Sequence, residues 1–267
     1  MYVDAHAHLD RYGADLGEAL AEIERGRLFT VSVAMDPPSY RANVEIAAAC
    51  ELVLPTFGVH PWNASAYAGR LGELREATAE SPMLGEIGLD FRFVDDASAY
   101  PAQREVFEFF LQAAAEQNKI VNLHTAGAEE EVLALLRRYD VRRAIVHWYS
   151  GPLDLLDEFL AQGAYFTVGV EALHSEHIRE IARRLPAERL LTETDNPGGE
   201  KWLTGSPGRP SIIKQVVAGV AEARGVCADD VVRDVAANVA RLYEGDAGLG
   251  AWYEKFFGPG VADRNIG

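Results

Sequence analysis

Short apolar runs rich in β-branched residues alternate along the chain with longer runs in which Ala and Leu recur at helical spacing among Glu and Arg, and the alternation repeats eight times. The strand-like runs are Tyr2 to His6, Leu28 to Met35, Leu52 to His60, Met83 to Asp90, Lys119 to His124, Arg142 to His147, Ala164 to Val168 and Arg189 to Asp195. Helical periodicity falls at 14–25, 38–50, 69–80, 101–117, 128–139, 152–161, 175–185 and 211–224, with two further runs at 228–243 and 249–257. Eight strand-then-helix units in 267 residues predict an α/β fold: a closed (β/α)8 TIM barrel with additional C-terminal helices, rather than an open doubly wound sheet. No linker or charge run interrupts the pattern. Residues 1–267 are therefore expected to form a single domain, with the barrel core at about 1–243 and a helical tail at 244–267.

On that frame the metal-capable residues gather at one end. In a parallel barrel the chemistry collects at the C-terminal ends of the strands. His6 and His8 end the first strand, His60 the third, Glu86 and Asp90 the fourth, His124 the fifth, His147 the sixth and Asp195 the eighth, so five of the seven histidines stand at strand ends. Period-two alternation puts His6 and His8 on one face, where both imidazoles reach one ion. Four imidazoles and two carboxylates hold two divalent ions if one carboxylate bridges, and ions about 3.5–4 Å apart can share and deprotonate a water near neutral pH. Glu86 is the expected bridge, because the small neighbours in Gly85-Glu86-Ile87-Gly88 allow close approach. Asp195 is placed to bind one metal and to accept a proton from the attacking water; its simpler alternative is to cap the turn before Pro197.

Composition narrows the setting. A hydrophobic content of 48% gives ample core, no stretch approaches the roughly 20 apolar residues of a membrane span, and Met1 leads almost directly into the first strand. The expected location is cytoplasmic, with no membrane association and no obligate protein partner. Cys50 and Cys227 read as reduced structural thiols. A formal charge of −16 opposes a broad basic surface for duplex DNA but leaves room for a narrow, metal-lined cleft that takes a strand end. Trp62, Trp148, Tyr149 and Trp202 follow strand ends, where they either stack on bases or pack the barrel rim. His174 and His177 read as a solvated helix start, and Trp252, Phe256 and Phe257 as tail packing.

The ordered series His6-Ala-His8-Leu9, Gly58-Val-His60-Pro61, Gly85-Glu86-Ile-Gly-Leu-Asp90, Val121-Asn-Leu-His124, His147-Trp-Tyr-Ser-Gly151 and Glu193-Thr-Asp195-Asn-Pro197 resembles the TatD-like deoxyribonuclease family of the amidohydrolase superfamily, from residue 3 to about 243. The resemblance implies a metal-dependent hydrolase in which His6, His8, Glu86 and Asp195 hold one metal and Glu86, His124 and His147 the other, with His60 at substrate phosphate. It also implies a nuclease acting on single-stranded DNA ends, or an enzyme acting on a small phosphate ester. His/carboxylate ligands accept Zn, Mn, Ni, Co or Mg, so the sequence leaves the ion open. One position departs from the family pattern: the arginine expected two residues after the strand-five histidine is missing from His124-Thr125-Ala126. Arg209, in the loop after the last strand, and Arg92, after the fourth, are the candidates to replace it. The departure keeps a second reading open, hydrolysis of an amide, ester or lactone at the same centre. A non-catalytic metal-binding barrel is the third.

Overall fold

The computed structural model describes residues 1–258. Its strands are β1 Tyr2–Ala7, β2 Leu28–Val33, β3 Val53–Thr56, β4 Leu84–Gly88, β5 Val121–His124, β6 Ala144–Val146, β7 Tyr165–Val168 and β8 Leu190–Thr192. All pair in parallel, as β1-β2-β3 and as β4-β5-β6-β7-β8. Two seams close the ring. Between β3 and β4, Phe57 bridges to Leu84 and the Gly85 N–H donates to the Phe57 carbonyl at 2.8 Å. Between β8 and β1, the Thr192 hydroxyl donates to the Val3 carbonyl at 2.6 Å and the Asp195 N–H to the His6 carbonyl at 2.9 Å. The expected (β/α)8 barrel is therefore present.

The helices are α1 Leu16–Gly26, α2 Pro37–Ala49, α3 Arg75–Glu80, α4 Tyr100–Gln117, α5 Glu129–Arg138, α6 Leu153–Gln162, α7 Glu176–Arg184, α8 Gly198–Thr204, α9 Ile213–Arg224, α10 Ala228–Tyr243 and α11 Ala247–Phe257. Local chemistry sets several boundaries. α2 starts at a reciprocal cap between Asp36 and Ser39 with Pro37 in its first turn, and α6 stops at Gly163, whose φ of 98° an L side chain resists. Helices cover the sheet, so β2 is buried at every position instead of alternating. One continuous apolar cluster runs from Val3 to Phe256. The tail belongs to it through Trp252, whose ring lies 3.9 Å from that of Phe29, the packing expected from its spacing. Residues 259–267 of the expected tail lie outside the described residues.

Several boundaries differ from the sequence pattern, three of them at the mouth of the barrel. The ladders of β3, β4 and β8 end at Thr56, Gly88 and Thr192, four, two and three residues before His60, Asp90 and Asp195. Past those points the backbone leaves the sheet to aim side chains across the mouth. Gly88 has φ 148°, and a Cβ there would overlap the His124 carbonyl oxygen. The short α8 directly after Asp195 has no apolar period to announce it. Among the described residues, no helix is long and apolar enough to cross a membrane.

Candidate metal centre

The six expected ligands converge over the C-terminal end of the barrel. Glu86, 2% exposed, stands at their middle and turns its two oxygens to different neighbours. Oε2 faces His8 Nε2 at 3.4 Å and His6 Nε2 at 3.6 Å, and Asp195 Oδ1 completes that group at 3.2 Å from His8 and 3.6 Å from His6. Oε1 faces His124 Nδ1 and His147 Nε2, each at 3.0 Å, and those two nitrogens stand 3.4 Å apart. Donors held about 2.0–2.1 Å from an ion at tetrahedral angles stand about 3.3–3.4 Å from one another, so both groups have the spacing of a coordination shell.

The hydrogen bonds behind each ring decide which nitrogen carries a lone pair. His6 Nδ1 lies 2.9 Å from Asn122 Oδ1, and the Asn122 amide is oriented by its Nδ2 donating to the Ala5 carbonyl at 3.0 Å. His6 therefore presents Nε2 unprotonated to the two carboxylates, and that buried atom has no hydrogen-bond partner within the protein. His124 Nε2 donates to Asp90 Oδ2 at 2.9 Å, leaving Nδ1 for the centre. His147 turns Nδ1 to Glu193 Oε2 at 3.5 Å, leaving Nε2. Two imidazole lone pairs thus face each other beside an anionic oxygen, an arrangement that a cation satisfies and a neutral pair does not. These residues fit divalent ions.

His60 behaves differently. Its Nδ1 accepts the Trp62 N–H at 3.1 Å, so the proton sits on Nε2, 3.3 Å from Glu86 Oε1. Distance alone groups it with Glu86 and His124 as donors. The tautomer makes it a hydrogen-bond donor instead. Burial lowers its pKa to about 4, against the pull of Glu86, and keeps it neutral.

Charge at the centre is uneven. Burial opposes ionisation of Glu86, yet His60, His147 and His6 together hold it well below the ordinary carboxylate range. Burial likewise opposes protonation of His147, and Glu86 and Glu193 outweigh it. Asp90 is drawn down to about 2: burial is overcome by His124, the Phe93 N–H and the Trp62 indole. The carboxylates thus favour positive charge on the rings that face them, the field that a divalent ion would meet in place of those protons. Asp195 is the most open member, with 21% of its side chain accessible against 0% for His6 and 2% for Glu86. Its backbone has φ 52°, a costly conformation for a non-glycine residue, held by the N–H bond to the His6 carbonyl.

Above the cluster lies a cleft of about 1330 Å³ lined by His8, His60, Glu86, His124, His147 and Asp195. Arg92 lines it, with Nη1 donating to Ser150 Oγ at 3.1 Å in the loop that follows β6. Arg209 does not line it. Its guanidinium points outward to Glu18 and Glu22 of α1, with Nε donating to Glu22 at 2.9 Å, so the loop position that suggested a phosphate contact instead ties the wall to a helix. Tyr149 is also removed from the cleft: it is buried, its hydroxyl donates to the Pro152 carbonyl at 2.6 Å, and its ring packs on Phe159 and Phe166. His177 is exposed, as a helix start should be, yet it lines the cleft with Nε2 near the Ser150 and Gly151 carbonyls. Cys227 is exposed, against the expectation of a structural thiol.

Asn122, Glu193 and Asp4 were not singled out by sequence reasoning, although a signal existed. Each lies two positions before a candidate ligand, Asp4 and Asn122 within β1 and β5 and Glu193 just past the end of β8, so the sequence alternation that pairs His6 with His8 extends to these three. Asp4 accepts the Thr194 N–H at 2.9 Å and the Thr194 hydroxyl at 2.6 Å, locking the His6 strand to the Asp195 loop.

Residues 3–244 match the family TatD related DNase. The uncharacterized metal-dependent hydrolase YcfH of Escherichia coli K12 is 30% identical over 262 residues, covering 92% of this chain and 96% of that protein. The 3′-5′ ssDNA/RNA exonuclease TatD of Erwinia tasmaniensis is 31% identical over 205 residues, covering 70% of this chain and 77% of that one. Among solved structures, the TatD homolog YJJV of Escherichia coli K12 superposes with a TM-score of 0.81 at 24% identity, over 90% of this chain and 97% of that one.

Proposed function

Because the chain belongs to the TatD family of metal-dependent hydrolases, we propose that it binds two divalent ions sharing Glu86 and hydrolyses phosphodiester bonds at the ends of single-stranded nucleic acid. The observation that carries this reading is Glu86 itself, whose two oxygens serve two donor groups. His6, His8, Glu86 and Asp195 would hold one ion and Glu86, His124 and His147 the other. Divalent ions so held would lower the pKa of a water between them and draw charge from a phosphoryl oxygen.

The protein's own groups supply the remainder. Asp195, the most open carboxylate, accepts the proton of the attacking water. His60 donates its Nε2 proton to a non-bridging phosphate oxygen, which its neutral tautomer allows. Arg92 supplies the cation that the loop after His124 lacks. The relative described as an ssDNA/RNA exonuclease supports a nucleic-acid substrate.

The missing arginine, with Arg209 committed to α1, favours a second reading in which the same centre opens an amide, ester or lactone. A screen of the metal-reconstituted protein separates them. Single-stranded DNA ends and a simple phosphodiester should be cleaved, and chelation should stop both. Turnover of a carboxylester, lactone or amide with phosphodiesters left intact replaces the first reading by the second.

A further inference from the structure

Phe93 and Trp202 are large, apolar and exposed, at 49% and 73% of their surfaces, yet both line the cleft and neither packs into the core. Scattered single aromatics on a surface carry no message. These two meet. Phe93 follows β4 and Trp202 lies on α8, just behind β8. In a closed eight-stranded sheet those strands face each other across the axis. Their rings nevertheless stand 5.7 Å apart, centroid to centroid, at 78°, so the pair bridges the mouth above the donor cluster.

Both ends of the bridge are fastened to the site. The Phe93 N–H donates to Asp90 Oδ1 at 2.7 Å, and the other oxygen of Asp90 holds His124. The helix carrying Trp202 begins where the Gly199 N–H donates to the Asp195 carbonyl at 2.6 Å. Each aromatic also follows a cation, in Arg92-Phe93 and Lys201-Trp202, and both cations line the cleft. An aromatic face beside a cation, repeated on opposite sides of one mouth, is the chemistry that takes a base together with its phosphate.

We propose that Phe93 and Trp202 form the base-recognition element of this enzyme, parting to stack on an unpaired nucleobase near a strand end while Arg92 and Lys201 take the flanking phosphates. The proposal rests on the phosphodiesterase reading and deepens it, by naming the residues through which the cleft would hold an unpaired base beside the scissile phosphodiester. Bases inside a duplex offer no free face to such a bridge. Stacking on an aromatic side chain contributes about 1–3 kcal/mol per base, about 5- to 150-fold in affinity.

The test compares two hydrolysis-resistant phosphorothioate decamers of thymidine, one intact and one with abasic terminal nucleotides, binding to the metal-loaded protein in a fluorescence anisotropy titration. The parent should bind the intact decamer about tenfold more tightly, within the range that stacking gives. Phe93→Ala with Trp202→Ala should erase that preference, and Trp202→Phe should retain it, with thermal melting confirming that each variant is folded. A parent that does not distinguish the decamers, or a folded double-alanine variant that still does, overturns the proposal. Parent turnover of methyl p-nitrophenyl phosphate, which carries no base, keeps the two readings apart: cleavage of that ester without base preference defeats the bridge alone.

Discussion

His6 offers its Nε2 lone pair to the carboxylates because Asn122 takes the proton on Nδ1. Removing that acceptor frees the ring to change tautomer and tilt, without touching any donor atom of the centre. Asn122→Ala should therefore keep the fold and weaken divalent-ion binding by about 10–100-fold, the usual cost of losing a partner behind a ligand. Metal titration reads this directly, and unchanged affinity would remove Asn122 from the design. Asp195 makes the opposite kind of contribution. Asn at that position keeps one donor oxygen but cannot accept a proton, so Asp195→Asn should lower kcat by about 10²–10⁴ while the protein still binds ions. Turnover within a few-fold of the parent would assign the proton to another group. The candidate ligands stood out in the sequence because His, Glu and Asp at strand ends have few other uses, and the fold brings them together. Their supports were harder to see, since Asn122 within β5 and Glu193 just past β8 stand in buried runs where a polar residue serves equally well as a satisfied core position; only the partner across the barrel distinguishes the two, and partners are three-dimensional.

The seam between β8 and β1 joins the first residues of the chain to the loop bearing Asp195, and Asp4 is its principal bolt. The Thr194 N–H and hydroxyl both end on Asp4, which is 2% exposed. Asn retains an acceptor for the amide and a donor toward the hydroxyl oxygen, whereas Ala strands both groups of Thr194. Asp4→Ala should thus cost about 3 kcal/mol of stability and Asp4→Asn about 1 kcal/mol or less, as measured by denaturant unfolding. Equal losses would show that volume, not hydrogen bonding, holds the seam. Arg209 is a similar tie on the outside, linking the segment before α9 to α1 through Glu18 and Glu22, with a third of its side chain accessible. Solvent screens such a pair, so Arg209→Ala should cost about 1 kcal/mol or less and leave kcat/KM within a few-fold. The order of the elements was legible in the sequence because hydrophobic periodicity reports which face is covered. The places where β3, β4 and β8 leave the sheet were not, because the runs through Gly58, Gly88 and Thr194 remain buried after the ladder stops.

With a formal charge of −16, the molecule repels polyanions except where local cations intervene. Asp95, Asp96 and Glu171 line the same cleft as Arg92 and Lys201, so a nucleic acid meets mixed charge even at the mouth. On the proposed function, affinity would come from the ions, a few phosphate contacts and stacking, and hardly at all from a diffuse counterion atmosphere. That division has a measurable signature. Each phosphate neutralised on a single strand contributes about −0.7 to the slope of log K against log salt, so two contacts through Arg92 and Lys201 predict a slope of about −1.4. Arg92→Ala and Lys201→Ala should each flatten it to about −0.7 while lowering affinity alike for strands of every sequence. Binding isotherms of the metal-loaded protein with a phosphorothioate strand, taken between about 50 and 200 mM salt, supply the number. A slope of about −4 or steeper would require roughly six neutralised phosphates, more than the cleft's cations can provide, and would move the nucleic acid onto a surface outside the barrel mouth.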